Sequence, residues 1–509
     1  MKYSSQQKPL SLDLFKSSFD DLNKSNRWVA LADLLPWGEI EKIYNSRLDN
    51  KHKGAGNKPA RMIIGACIIK HKLTLSDQET IDIIQENPYM QYLCGLSEFT
   101  DMPIFDASLF VTIRKRISLK EINEMVTSLL NLELKKKEEK KQKPNQGESD
   151  GNIPSGTSQG QEDNDAEFTD SQGRKHKGIL KMDATCADAE VRFPVDVDII
   201  HDGCKVVDRY INSLCKTLCI KNVHSSYKTA RSFYIGLVKR KKKGGKFVKD
   251  TIKHLLHYLG VDLRKITEIF VDYTGSKEML KPSEQRILNA VFDMFHQQTY
   301  MHENNVHTCA NRIISIFQPH LRPIKRGKAR AKTEFGAKIG AVIYEGYTFI
   351  DHHSWDAYNE SKDMKLHVKK YKERFGYLPA IIHADKIYLN KANRKYLKDE
   401  EINTYCKPLG RPSKESKSPE FIAKMTKAVG ERNEIECSFG TGKRIYRANN
   451  IRAKLPETSE CWTGMCYFVK NVMKFLRELC LALSEIWLIF AVGNLEERKV
   501  HCALKVALN

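Results

Sequence analysis

The sequence lacks the cysteine patterns that mark structural zinc sites and disulfide-bonded secreted proteins. It has 13 cysteines, an odd number, and no two of them form a CxxC pair. The closest two, Cys215 and Cys219, have no histidine pair at zinc-finger spacing. Neither a structural zinc site nor a disulfide framework is therefore expected. Free thiols are typical of a reducing compartment, so we expect a cytoplasmic protein.

No segment near the start of the sequence looks like a signal peptide, and long apolar runs are few. Its first residues, MKYSSQQKPLSLDLFKSS, contain no continuous apolar stretch, which disfavours a signal peptide. The most apolar segment, residues 479–493, contains Glu485 and is shorter than the roughly 20 residues that a membrane-spanning helix needs. We interpret this segment as a buried core helix and expect no membrane partner.

Positive charge is what the sequence has in excess. Its 84 lysines and arginines outnumber its 63 acids and give a formal net charge of +21. Such a charge favours a polyanionic partner, either nucleic acid or an anionic membrane surface. The length of 509 residues allows two or three domains with substantial cores.

Residues 1–134 have apolar residues at helical spacing and predict a separate all-α amino-terminal domain. Within them, Ser76 and Glu79 have the spacing of a capping box, which predicts the start of a helix. This domain is either a DNA-binding module or a plain helical scaffold with a solvated basic face. The two interpretations stay equal, because no helix-turn-helix signature is clear.

Residues 135–177 predict a disordered charged linker. Between Pro144 and Gly173 the sequence has seven acids and no lysine or arginine. With few apolar residues, the segment cannot bury enough surface to order itself. Removal of this negative charge leaves the rest of the chain more basic than the total suggests.

Residues 178–509 mix strand and helix patterns, which indicates an α/β domain. The stretch GILKMDAT predicts a strand that ends on Asp183, and PAIIHADKIY predicts a buried strand that ends at Asp385. Residues from about 196 to 317 are mostly helical in pattern and predict an insertion. A strand-rich stretch follows, with Glu345 and Gly346 as a plausible hairpin turn.

Three carboxylates in this region could form a metal site. Asp183 and Asp385 each follow a short apolar strand, and carboxylates at strand ends converge at one edge of a sheet. Glu436, on a helix packed beside that edge, could complete the set. Such a set fits hard divalent cations, chiefly Mg²⁺, and two ions roughly 4 Å apart can support phosphodiester displacement. Each acid alone is weak evidence for a metal site, since a strand-end aspartate is more often a turn or cap residue.

Glu436 lies between two long cations on one predicted helix face. Arg432 precedes it by four residues and Lys443 follows it by seven, and both steps return to the same side of a helix. Glu434 is the competing acid, but it is about 200° around the helix from Glu436 and should face elsewhere. Gly440 weakens the helix before Lys443, as does Gly442.

These residues resemble the motifs of a bacterial insertion-sequence transposase of the DDE class. Arg432, Glu436 and Lys443 match the family's third-acid signature, with Val429 where the family has tyrosine. Asp385 begins a segment similar to the second-acid motif, and KMDATCADAEVRFPVDVDII is similar to the first-acid strand. The blocks PIKRGKARAKTEFGAKIG, SWDAYNE, HADKIYLNKAN and LGRPSK resemble one subgroup, as do IIQENPYMQYLCGL and SLFVTIRKRI in the amino-terminal part.

The resemblance implies an RNase H-like mixed sheet flanked by helices, and an enzyme that acts on double-stranded DNA. It implies cleavage at the element's terminal inverted repeats, followed by attack of the freed 3′-OH on target DNA. Asp183, Asp385 and Glu436 would hold two Mg²⁺ ions, which Mn²⁺ can replace. Arg432 and Lys443 would contact phosphates near the cut. Pairing of two element ends suggests a homodimer on DNA, in a nucleoid-associated protein.

Two further basic tracts bear on DNA binding. The first has seven cations between Lys239 and Lys249, and the second has six between Arg322 and Lys332. Either tract could neutralise backbone phosphate or form a solvated loop. We predict phosphate contacts for the second tract, at Arg322, Lys325, Arg326 and Lys328. Two alternative functions stay open, namely a non-catalytic DNA-binding protein derived from a transposase and a structure-specific nuclease on the same fold.

Overall fold

The computed structural model describes residues 17–48, 56–141, 167–325, 333–406 and 418–479. The first two ranges contain seven helices. They are α1 (Arg27–Leu34), α2 (Trp37–Asn45), α3 (Ala60–Leu73), α4 (Asp77–Glu86), α5 (Pro88–Leu93), α6 (Leu109–Arg116) and α7 (Leu119–Lys141). The predicted capping box is confirmed at α4, where the Ser76 hydroxyl accepts from the Glu79 N–H and the Glu79 carboxylate accepts from the Ser76 N–H.

A mixed sheet forms the centre of the remaining chain. Its strands are β3 (Ile179–Asp188), β4 (Arg322–Lys325), β5 (Thr333–Tyr344), β6 (Tyr347–Ser354), β7 (Ile381–His383) and β8 (Asn403–Thr404), and a separate small hairpin joins β1 (Glu167–Thr169) to β2 (Lys175–Lys177). The central β3 pairs antiparallel with β5 on one side and parallel with β7 on the other. Strands β4 and β6 pair with β5, and β8 extends the sheet beyond β7 in parallel.

Turn chemistry sets the β5–β6 hairpin as the sequence predicts. Glu345 and Gly346 both have positive φ, 50° and 75°, the combination that a tight hairpin turn with right-handed strand twist requires. Helix α12 (Met364–Phe375) ends at Gly376 in the left-handed conformation, where glycine has no steric penalty. Helix α13 (Lys391–Asp399) follows β7.

Four helices occupy the region where the sequence predicts an insertion. They are α8 (Asp196–Thr217), α9 (Tyr227–Val238), α10 (Gly245–Asp272) and α11 (Pro282–Glu303), and they lie between β3 and β4 in the chain. Their apolar faces form a hydrophobic cluster of their own, separate from the main core. The insertion therefore has a core that does not depend on the sheet for its apolar contacts.

One continuous hydrophobic cluster joins the amino-terminal helices, the sheet and the carboxy-terminal helices α14 (Pro419–Arg444) and α15 (residues 456–479). Hydrogen bonds also connect the amino-terminal helices to the sheet. The Asn123 amide on α7 donates to the Ile350 carbonyl at 2.7 Å and accepts from the Ile350 N–H at 3.3 Å. The amino-terminal helices and the sheet thus pack directly on each other.

The structure differs from the sequence-based boundaries at two places. β3 continues to Asp188, because β5 pairs with it without interruption from Lys181 to Asp188, so Asp183 lies within a strand and not at its end. The predicted linker is ordered at both margins, where α7 extends to Lys141 and the β1–β2 hairpin forms. Its residues 142–166 lie outside the described residues.

The apolar segment 479–493 was predicted as a buried core helix, and from residue 480 onward it lies outside the described residues. In the described ranges, none of the helices combines the length and the apolar character needed to cross a membrane.

Candidate active site

The parallel pairing of β3 with β7 brings the first two predicted acids together. Lys181 is the register partner of His383, and each of these residues precedes one of the acids by two positions. Asp385 follows the end of β7, and its negative charge acts on the Asp183 carboxyl. Asp385 follows β7 and caps a short 3₁₀ turn, since its carboxylate accepts from the Lys386 N–H at 2.7 Å.

Helix α14 supplies the third acid. Its buried face, which includes Ala428, Ile435 and Phe439, packs on the sheet. This packing places Arg432 over β3, where its guanidinium lies 3.5 Å from the Asp183 carboxylate and donates to the Glu436 carboxylate at 2.7 Å. Arg432 thus bridges two of the three predicted acids.

The Asp183 carboxyl has an unusual electrostatic environment. Burial raises its pKa to about 6, and the negative charges of Glu360 and Asp385 add to the rise. The hydrogen bond from the Ala184 N–H and the positive charge of Arg432 oppose it. A carboxylate in such surroundings is stabilised by any nearby cation, and strongly perturbed carboxyls are typical of functional sites.

The donor set fits a hard divalent cation by its chemistry, since all three side chains offer carboxylate oxygens. Their present spacing is more open than in a metal-bound cluster. Among the described residues, a group of three potential metal-ligating atoms within 4.8 Å of one another occurs at Cys186, Asp188 and Glu334, and not at the three predicted acids. Arg432 provides the positive charge between Asp183 and Glu436.

The flanking residues of α14 separate to two sides of the helix. Glu434 pairs with Lys181 at 2.7 Å, on the opposite flank from Arg432 and Glu436, as its angular offset predicts. Lys443 lies in the last turn of a helix that is continuous to Arg444. Burial raises the pKa of the Cys186 thiol, and the charge of Lys443 opposes that rise, which places Lys443 towards the far end of β3.

The second basic tract is only partly described. The Arg322 guanidinium donates to the backbone carbonyls of Pro319 and Leu321, at 2.6 and 2.9 Å. Lys325 ends β4, where its backbone pairs with Thr333. Arg326 and Lys328 lie outside the described residues. The first tract, from Lys239 to Lys249, is mostly exposed around the start of α10.

Sequence reasoning missed one acid near the site. The Glu360 carboxylate pairs with the Lys338 ammonium at 3.0 Å and acts on Asp183 more strongly than Asp385 does. The Tyr388 phenol is fully buried, and its pKa is raised well above its ordinary value by burial first and then by Glu360 and Asp183. The sequence signal for Glu360 is its place as the last residue of the SWDAYNE block.

Two stretches of the chain match known families. Residues 17–116 match the transposase domain DUF772, and residues 382–473 match the transposase DDE domain, which includes Asp385, Arg432 and Glu436. Both matched families are transposase domains, and together they support an insertion-sequence DDE transposase. This confirms the family inferred from the sequence. Asp183 lies outside both matched stretches of the transposase, so its assignment depends on the fold.

One curated relative matches part of the chain. The uncharacterized protein ORF8 in the nfe locus of Rhizobium meliloti is 30% identical over 115 residues, which are 22% of this chain and 55% of the relative. The chain thus spans about half the length of this curated relative. No solved structure matches the chain.

Proposed function

We propose that this transposase binds the terminal inverted repeats of its insertion sequence, cleaves phosphodiester bonds there and joins the 3′-OH ends to target DNA. The observation that carries the proposal is the Arg432 guanidinium, which spans Asp183 and Glu436 beside Asp385. Arg432 contacts Asp183 and Glu436, and the charge of Asp385 acts on Asp183, which supports a shared site for the three acids. The net charge of +21 favours DNA as the partner.

We assign the sheet to the RNase H-like class. Strands β6, β5 and β3 are neighbours in the sheet and antiparallel to one another. Strands β7 and β8 follow on the other side of β3 and are parallel to it, which gives the order β6-β5-β3-β7-β8. The first acid lies on the central strand and the second follows the adjacent parallel strand. This order supports the fold that the sequence motifs imply.

Each side chain has a separate role in the proposed reaction. Asp183, Asp385 and Glu436 would hold two divalent cations, Mg²⁺ or in its place Mn²⁺, which when bound activate the attacking oxygen and stabilise the leaving oxygen. Arg432 would bind a phosphate near the cut through its planar guanidinium, and Lys443 would bind another as a point charge. The buried Tyr388 phenol would keep water from the floor of the site.

The test is cleavage and joining of DNA that carries the element's ends. Purified protein with Mg²⁺ should cut such DNA, whereas Asp183→Asn, Asp385→Asn and Glu436→Gln should bind it and leave it intact. Glu434→Gln is the matched control, because it removes an acid two residues from Glu436 on the other flank of α14 and should retain cleavage. Binding without cleavage by the unmodified protein would overturn the enzymatic proposal in favour of a non-catalytic DNA-binding protein.

A substrate panel separates the proposed transposase from a structure-specific nuclease. A transposase should require the inverted repeats and give joined products. Equal cutting of branched or hybrid substrates without the repeats would favour the nuclease. We also propose a homodimer on paired ends, which the mass of the paired-end complex measures directly.

A further inference from the structure

A basic pocket lies apart from the three acids, where helix α3 meets the chain that follows α14. It is a cavity of about 230 Å³, and its lining contains no acidic side chain. Its cationic members are Lys70, Arg447 and Arg452, and the aromatic rings of Tyr446 and Trp462 form part of its wall. Because three separate segments build it, the pocket exists only where the amino-terminal helices pack on the catalytic part.

Arg447 is an exposed cation of the basic pocket. Its backbone has φ of 57°, the left-handed region that residues other than glycine, asparagine and aspartate rarely adopt. Its guanidinium makes no ion pair with any described residue. An unpaired arginine held in an unfavourable conformation at a cavity is the kind of outlier that marks a binding position.

Neighbouring charges leave the basic pocket electropositive. Asp77 is shared between Lys70, at 2.9 Å, and Arg114, at 2.7 Å, so it can neutralise only one of them. Lys72 adds a further charge, with its ammonium 5.7 Å from the centre of the Tyr446 ring. Arg452 pairs with Glu190 at 3.7 Å, and both side chains are about half exposed. Glu79 is one more acid whose charge interacts with Arg452 and Lys70, so the cations around the pocket still outnumber the acids. A surplus of positive charge in a recess favours an anion.

The distance of the basic pocket from Glu436 indicates which anion it binds. From Glu436 to Arg444 the helix rises about 12 Å, the length of about four base-pair steps of DNA. Lys443 and Arg444, in the last turn of α14, lie in the chain between Glu436 and the basic pocket. They add two positive charges along that path. We propose that the basic pocket binds a backbone phosphate of the element-end DNA a few base pairs from the cut; this inference rests on the proposed function.

The test measures DNA binding without cleavage, in EDTA, on the full chain. Arg447→Asn removes the charge and keeps a residue that tolerates left-handed backbone. It should weaken binding to end DNA and reduce the slope of log K against log salt by about one. Lys369→Gln is the control, because it removes one charge from an exposed side chain on α12 and should change the affinity little.

A scan of single methylphosphonate substitutions then identifies the phosphate. Neutralising one phosphate about three to seven base pairs from the cut should weaken binding by the unmodified protein, and the same change should have no further effect in Arg447→Asn. Unchanged salt slope in the variant, or equal sensitivity of both proteins at every phosphate, would overturn the inference. Mg²⁺-dependent cleavage by the unmodified protein, measured in parallel, shows whether the proposed function itself has failed.

Discussion

At the scale of single residues, Arg432 supplies positive charge to two of the three predicted acids. Its guanidinium contacts Asp183 and Glu436, while burial and two further acids raise the pKa of Asp183 to about 6. Without a cation there, the largely buried Asp183 carboxylate would face the negative charges of Glu360 and Asp385 with less positive charge to oppose them. The same charge that holds the acids in place is suited to DNA phosphate.

Replacement of Arg432 with Gln tests this balance. In EDTA at neutral pH, we expect the free energy of unfolding to fall by about 1–3 kcal/mol, since two carboxylates lose a charged partner. In Mg²⁺ the loss should be smaller, because a bound cation supplies the missing charge. Urea unfolding in both buffers measures the two values. An equal loss in both would contradict the role of Arg432 as the compensating charge.

His71 predicts the dependence of stability on pH. Burial lowers its pKa from 6.5 to about 3, and the charges of Lys70 and Arg114 add to the effect. The unfolded chain therefore binds a proton that the folded chain excludes, so stability present above pH 6.5 is lost as pH falls towards 3. Between pH 7.5 and 5 this one group should remove about 2 kcal/mol.

The measurement compares urea unfolding of the unmodified protein and His71→Leu at both pH values. The variant should lose less stability on acidification by about 2 kcal/mol. Since other buried histidines titrate equally in both proteins, the difference isolates His71. A variant with the same pH dependence as the unmodified protein would contradict the prediction.

At the scale of elements, α14 shows why glycines that weaken a helix can be required by packing. A Cβ on Gly442 would lie 2.8 Å from the Tyr467 ring of α15, whereas a Cβ on Gly430 would meet nothing within 4 Å. Gly442 therefore permits two helices to approach closely. The helix stays continuous to Arg444 and presents Lys443 in its last turn.

The same substitution should have opposite effects at these two positions. Gly442→Ala should destabilise the protein by about 1–3 kcal/mol through overpacking against Tyr467. Gly430→Ala should stabilise it by up to about 1 kcal/mol, since alanine is the better helix former. Thermal unfolding of both variants measures the difference. Stabilisation by both would show that the α14–α15 contact is loose.

At the scale of the whole molecule, the outer edge of β6 joins the amino-terminal helices to the sheet. The Asn123 amide of α7 pairs with the backbone of Ile350, and the Asn471 amide of α15 pairs with the backbone of Thr348 at 3.0 and 2.7 Å. Two side chains thus satisfy an edge strand that would otherwise be open to other chains.

Asn123→Ala should weaken the contact between α7 and β6. It leaves the Ile350 N–H and carbonyl buried without their amide partner, and about 2–4 kcal/mol of stability should be lost. Asn304→Ala is the control, because its amide donates only to Tyr300 of its own helix. Hydrogen exchange should show faster exchange in β6 and α7 of the first variant alone. Unchanged exchange there would contradict the proposed joining role.

Local features were predictable from the sequence because neighbouring residues determine them. The Ser76 capping box, the Glu345–Gly346 turn and the end of α12 at Gly376 each depend on a few adjacent side chains. The strand at Asp183 was predicted too short, because its second half is stabilised by β5, about 150 residues later in the chain. Glu360 was missed because its approach to Asp183 has no periodic signal.

The sequence by itself determined which candidate groups are present: three acids, the basic helix that carries one of them, and motifs that resemble those of DDE transposases. Only the tertiary structure decided which side chains meet. The β3–β7 register brings together Asp183 and Asp385, 202 positions apart, and the packing of α14 sets Arg432 between two acids. The basic pocket likewise needs three distant segments. The physical reason is that strand pairing and apolar packing act between residues that are near in space, whatever their separation along the chain.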